Sequence, residues 1–446
     1  KTVGLDVKLY GKPARNAFHA LCKRLQDNLI EFVASRSFAG ETSEELEILK
    51  LLLASRIFFE DKLYKLAFKT LENAEKMAVP LDLYAILNEI YHTKTQYAHL
   101  NPHWKLEDIL KLSEANMGFY QQDFQLNRAY AVIKWRLESV ENSSIREIIQ
   151  NTFVEFNIAV NETLTYKSLF QLMEITATAA ELLSDYYTIS PFMFELYVIV
   201  NKKSKLKDKH RYYHLRILNL LAVTQFRNKK FQASMRLADE MEQEMQKDSY
   251  AHQKYFLEKV TVLKALNHNF TGTPEKAIAL LQSFKEQSLD IQLLTTMCLL
   301  QQGHFSEAYQ IVKSLTHSDT WYEKKMGWVW VVKKNLIEIL LLMELDKLDL
   351  VLIRLQRFKT KFTKTLKDKG EQRVLTFVGL IGRYYENPRE VETQEFQEEV
   401  ENSFEWLGKE QEDIFVMSFY AWLKSKMEQE NLYAVTLGLV GEKRAT

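Results

Sequence analysis

What most constrains this chain is how little it holds of the residues that break helices and turn strands: 13 glycines and 6 prolines among 446 residues. A β-sandwich or barrel needs a turn signal about every 8–12 residues, and so many more of both. Between the sparse breaks, apolar residues recur at helical spacing. Phe18, Leu21, Leu25, Leu29, Phe32 and Val33 fall on one stripe, while Lys23, Arg24, Gln26, Asp27 and Asn28 lie mostly off it. The expected fold is all-α. With helices of about 12–15 residues and short links, the chain holds roughly twenty of them. Its length exceeds one ordinary compact core, so several domains or a quasi-linear array of packed units is expected.

Capping chemistry places several helix starts. Thr42 with Glu45, Ser144 with Glu147 and Asn387 with Glu390 have the N-cap to N3 spacing that satisfies two orphan backbone donors. Thr273-Pro274, Ser190-Pro191 and Asn387-Pro388 set a capping side chain before a proline at the first helical position, where its missing N–H costs nothing.

A repeated phrase runs through these helices. After Tyr64 come Ala67, Leu71 and Ala74, then Pro80, with Leu51, Ala54 and Phe58 at the packing positions of the preceding helix. After Phe305 come Ala308, Val312 and Leu315 at the same offsets, with Leu299 ahead of the turn and Gly303 where one helix must stop. Looser copies supply Ala277, Leu281 and Phe284, then Val351, Leu355 and Phe358; Phe231 is followed by Ala233, one residue short. Small residues let two helices approach and large ones fill the wall. The stretches Leu46–Ala78 and Tyr212–Phe362 resemble the tetratricopeptide-repeat superfamily, without its Trp, Leu-Gly and Tyr positions as a set. Between Asp82 and Lys209 no such register is visible.

The resemblance implies an α-solenoid of stacked antiparallel hairpins with an extended concave surface lined by the first helix of each pair. Carried onto this chain, the partner-binding residues would be Leu52, Arg56, Phe59 and Glu60 in one unit and Leu293, Met297, Leu300 and Gln301 in another. The expected organisation is an N-terminal helical segment over residues 1–40, an N-terminal helical-repeat half over 41–200 and a C-terminal tetratricopeptide-like half over 201–446. In the last of these, Phe415, Phe419, Trp422, Leu423 and Met427 mark a closing helix.

Little in the sequence points to catalysis. Gly379 and Gly382 are a pair inside an apolar helix, lacking the third glycine and preceding strand of a dinucleotide site. His210 and His214 stand four apart, a spacing that can bind a metal, but without the acidic partner of a zinc protease. His92, His99 and His103 gather around a loop. No arrangement marks an activated nucleophile. The expectation is a protein that is not an enzyme and carries no cofactor or metal.

Lys plus Arg and Asp plus Glu each number 59, whereas nucleic-acid binders usually show a basic excess. Two stretches are locally basic. Lys202, Lys203, Lys205, Lys207, Lys209, Arg211 and Arg216 surround Tyr212 and Tyr213; Arg354, Arg357, Lys359, Lys361, Lys364, Lys367 and Lys369 surround Phe358 and Phe362. Basic and aromatic residues interleaved in this way can track a nucleic-acid backbone. The competing readings are solvated helix ends, or a surface crossed by the acidic stretch Arg389–Asp413. Trp321, Tyr322, Trp328 and Trp330 read as filling between repeats. Cys22 and Cys298 read as small buried hydrophobes. Met326–Leu345 is the most apolar run, but Lys333, Lys334, Glu338 and Glu344 interrupt it, so a buried helix is expected and no membrane span. Two cysteines far apart in sequence make a reducing setting the expectation. The opening KTVGLDVKLYGK has no apolar core of a secretory signal, so a cytoplasmic location is expected.

The first functional expectation is thus a non-enzymatic scaffold or adaptor holding a protein or peptide partner. The alternative is a nucleic-acid-associated regulator that uses the local basic patches. Partner identity and oligomeric state are not encoded in any of these patterns.

Overall fold

The computed structural model of the protein describes residues 10–36, 43–139, 145–162, 164–183, 186–203, 206–247, 252–368, 371–403 and 414–441. Among these residues are twenty-one α-helices and no strand. They begin with α1 (Arg15–Arg36), α2 (Ser43–Glu60), α3 (Tyr64–Ala78), α4 (Tyr84–Tyr97), α5 (Leu106–Ser139), α6 (Ile145–Glu155), α7 (Tyr166–Leu183) and α8 (Tyr186–Lys202). There follow α9 (Arg211–Arg227), α10 (Phe231–Met245), α11 (Gln253–Phe270), α12 (Pro274–Ser283), α13 (Leu289–Gln301), α14 (Phe305–Ser314) and α15 (Asp319–Met326). The last are α16 (Trp328–Glu344), α17 (Leu348–Asp368), α18 (Gln372–Glu386), α19 (Gln394–Ser403), α20 (Ile414–Glu428) and α21 (Leu432–Val440). Described residues within 1–128, 163–166 and 205–212 form one compact unit, and those within 129–162, 167–204 and 213–446 form a second.

Five helix pairs turn in one way, and the junction of α3 with α4 repeats it at Asp82 (55°). A residue with positive φ stands two places before the second helix: Lys62 (62°), Lys229 (60°), Gly272 (87°), Gly303 (76°) and Asp346 (51°). The N–H that follows reaches back five residues, as from Leu63 to Phe58 at 2.8 Å, His304 to Leu299 at 2.9 Å and Lys347 to Leu342 at 2.9 Å. This closure satisfies carbonyls that the helix end would otherwise orphan. Glycine supplies the left-handed residue at only two of the five turns, which is how the chain makes hairpins with so few glycines.

A common register follows each turn. Three residues into the second helix Ala67, Ser234, Ala277, Ala308 and Val351 are all buried, and seven residues in so are Leu71, Ala238, Leu281, Val312 and Leu355. In α10 the small residue is Ser234 rather than Ala233; its hydroxyl donates to the Ala222 carbonyl of α9 at 2.9 Å. Because Ser234 rather than Ala233 is the small buried residue, α10 keeps the common three-residue offset, and the shortfall expected from the sequence is corrected.

In the first unit the core is built by α2, α3 and α4, with Ile48, Ala67, Leu71, Ala74 and Ile90 wholly buried. In the second, one continuous core runs from α9 to α21, and α21 packs back on α11 and α13. Tyr433 of α21 donates its hydroxyl to the Asn269 carbonyl of α11 at 2.6 Å.

Several local expectations are corrected. Pro191 lies inside α8, not at a helix start, because α8 begins at Tyr186. Asn387 makes no side-chain cap; it precedes a short 3-10 segment, Pro388–Glu392, and Glu390 pairs with Arg383 instead. Thr273 does precede a first-position proline, but its hydroxyl engages His268 rather than the helix. Thr42 and Ser144 lie outside the described residues. Cys298 is buried as expected, whereas Cys22 is exposed. The stretch without visible register contains α5, a single helix of 34 residues, more than twice the length expected of one helix in a hairpin repeat.

Candidate functional site: an apolar pocket on first helices

The first helices of three hairpins in the second unit, α11, α13 and α16, each turn one face toward a common pocket of about 280 Å³. Val262 and Leu266 on α11, Leu293 and Met297 on α13, and Trp330 and Ile337 on α16 stand three or four residues apart, or seven, as one helical face requires. Phe415 and Phe419 of α20 complete the wall. The lining is mostly apolar with four charged side chains, Glu258, Lys259, Asp290 and Lys333.

These charges are ordered by neighbours. The Ser288 hydroxyl caps α13 by accepting from the Ile291 N–H at 3.2 Å and donates to Glu258 at 2.5 Å. Partial burial pushes the Asp290 carboxyl above the ordinary range, the nearby Glu258 charge adds to this, and the Trp330 N–H and Lys333 pull it back. The Lys333 ammonium sits 4.4 Å from the Phe415 ring centre and the Arg227 guanidinium 4.7 Å from it, so two cations hold one ring. Such a pocket can take an apolar group and orient it by its polar rim.

The residues expected to bind a partner fare differently. Leu293 and Met297 lie in the pocket wall. Leu300 and Gln301 are buried away from it, and the Gln301 side-chain oxygen accepts from Asn269 at 2.7 Å. In the first unit Leu52 and Phe59 are core residues, Phe59 stacking on Tyr97 at 3.9 Å between ring centres. Arg56 is half-exposed and pairs with Glu89 at 2.6 Å, and Glu60 is exposed. Leu52 and Phe59 are thus covered by the chain itself.

The other sequence features are spread out. His210 stacks on Tyr166 and His214 lies 3.8 Å from Glu240, both buried; His92, His99 and His103 are exposed. Among the described residues no group of three or more His, Cys, Asp or Glu is placed to hold a metal, and no helix is long and apolar enough to cross a membrane. Met326–Leu345 contains α16, a buried helix, with Lys334 and Glu338 buried along with its apolar residues. Tyr322 and Trp330 are buried 5.3 Å apart, while Trp321 is exposed and stacks on His317 at 4.0 Å. Phe358 and Phe362 point into the core and offer no stacking surface. In the first basic stretch Lys202 pairs with Glu162, Arg211 with Asp208 and Arg216 with Glu174; Lys205 and Lys369 lie outside the described residues. The acidic stretch is engaged through Glu390 and Glu399 by Arg383 of α18, and its residues 404–413 lie outside the described residues.

Sequence patterning missed the Phe415 and Phe419 contribution to the pocket. Their spacing marks an apolar face, but nothing local says which upstream helices that face meets. No protein-family model, curated protein or solved structure matches the chain.

Proposed function

We propose that the protein is a non-enzymatic, tetratricopeptide-like scaffold whose second unit holds a protein or peptide partner by an apolar side chain. The observation that carries this reading is the pocket made by the first helices α11, α13 and α16, with apolar walls and a charged rim. Its volume of about 280 Å³ is at the small end for ligand sites, which suits a bulky side chain better than a large cofactor. The polar rim would fix the direction of the bound segment, as in other helix- or peptide-in-groove recognition. The nucleic-acid alternative has less support, because Phe358 and Phe362, which would have to stack on bases, are turned into the core.

The test is peptide selection from a random displayed library against the full chain, compared with Val262→Trp. Val262 is only half-buried and lines the pocket, so the larger ring fills it with little strain elsewhere. Peptides enriched in bulky apolar residues that bind the native chain and lose at least tenfold affinity for the variant are expected. Equal binding to both chains would overturn the proposal.

A further inference from the structure

A second opening in the same unit has the opposite chemistry. Between the end of α14, the start of α15 and the helices α16 and α17 lies a polar cleft of about 870 Å³. Its floor is an ion ladder. Lys334 and Glu338 are buried, with the Lys334 ammonium 3.3 Å from Asp319 and 3.4 Å from Glu338, and Arg354 2.8 Å from Glu338. Lys361 approaches Asp319 at 3.7 Å and Glu323 at 3.9 Å. The ladder uses both carboxylates that line the cleft, Asp319 and Glu338.

Two exposed lining cations remain, Lys313 on α14 and Arg357 on α17; neither has a carboxylate within ion-pair distance among the described residues. Lys364, seven residues beyond Arg357 and exposed, continues that face of α17 past the cleft. The net surplus over the lining is therefore positive and sits on its two walls.

We infer that this cleft is a docking site for an acidic peptide segment, whose carboxylates meet Lys313 and Arg357. A small anion would leave most of the volume empty. A nucleic-acid strand also brings bases, and the aromatic residues of α17, turned into the core, give them nothing to stack on. The carboxylates of a peptide, spaced along a flexible segment, can meet the two walls separately, and the Arg357 guanidinium can hold one in bidentate fashion. The chain's own acidic helix α19 is held by Arg383 through Glu399, away from this cleft. The inference stands on the cleft alone and does not depend on the apolar pocket.

The probe is a fluorescent glutamate-rich peptide titrated against the full chain at low salt, with a lysine-rich peptide and single-stranded oligouridylate in parallel. The glutamate peptide is expected to bind, and Lys313→Glu with Arg357→Glu to weaken it at least tenfold. Lys359→Glu with Lys367→Glu makes the same change of charge on α17 residues outside the cleft lining and is expected to leave binding within about twofold. Equal loss in both double variants would reduce the effect to overall charge and overturn the inference. So would absence of binding, or oligouridylate binding that depends on Lys313 and Arg357 where the peptide does not bind.

Discussion

The Asn269 side chain donates to the Gln301 side-chain oxygen across 2.7 Å, with both residues almost wholly out of solvent. It ties the first helix of one hairpin, α11, to the first helix of the next, α13. Asn269 Oδ1 and Gln301 Nε2 have no hydrogen bond among the described residues, so the pair is already only half satisfied. Gln301→Leu strands the Asn269 amide and should cost about 1–3 kcal/mol in urea denaturation. Asn269→Leu in the same chain removes the stranded group, so the double variant should recover most of that loss. A double variant whose loss equals the sum of the singles would show that the tie contributes nothing as a pair.

The hairpin turns give a prediction of opposite sign at two chemically different positions. Lys62 is exposed and carries a side chain in the left-handed region at φ 62°, while Gly303 fills the same role at φ 76° with no strain. Lys62→Gly relieves about 1–2 kcal/mol of backbone strain but loosens the unfolded chain, leaving a net gain of about 0.5–1 kcal/mol. Gly303→Ala should lose about 1–2 kcal/mol. An added Cβ there meets only Phe305 at 4.0 Å, so that loss is conformational and not a clash. Thermal unfolding of both variants reads the two signs.

These turns also show what the sequence could and could not reveal. The hairpins at Tyr64 and Phe305 are legible because small and large residues fall at fixed offsets after an aromatic residue. At Lys62, Lys229 and Asp346 the turn is invisible, since the left-handed residue is not glycine and backbone hydrogen bonds do the closing. The pocket is legible only in halves. Leu293 and Met297 follow from the first-helix rule, but Leu52 and Phe59 obey the same rule and are covered by the chain, because α4 packs where a partner was expected. Phe415 meets α11, α13 and α16 from far along the chain, a contact that no local period encodes.

The two thiols should differ in reactivity. Cys22 is exposed; Cys298 is fully buried, and burial pushes its thiol up to about 12. Ellman's reagent is expected to titrate one thiol per native chain, and none in Cys22→Ser. Burial likewise pushes the Tyr91 and Tyr433 hydroxyls up to about 12. Between about pH 9 and pH 12 the unfolded chain releases these protons and the folded chain keeps them, so stability falls as pH rises through that window. Tyr433→Phe should flatten the fall. An alkaline stability profile that rises, or a Cys298 that reacts in the native chain, would contradict the packing described around α13 and α21.

The return of α21 to α11 and α13 changes how damage should spread. In an open helical array each repeat touches only its neighbours, so loss of the last helix would be felt at the end of the array alone. Here α20 and α21 form a pair, yet α21 also packs on helices more than a hundred residues upstream, and Tyr433 bonds the Asn269 backbone at 2.6 Å. A chain ending at Glu430 removes α21 and retains Trp422, which donates to Glu344 at 2.6 Å and keeps α20 seated. Amide exchange in that chain should rise in α11 and α13 as well as in α20, because the apolar surface α21 covers on them becomes open to water. Trp422→Ala is expected instead to cost about 3–5 kcal/mol and to open the contacts of α20 with α16 and α18. Exchange that rises only in α20 on truncation would mean that α21 caps its own partner, and that the second unit behaves as a chain of neighbours after all.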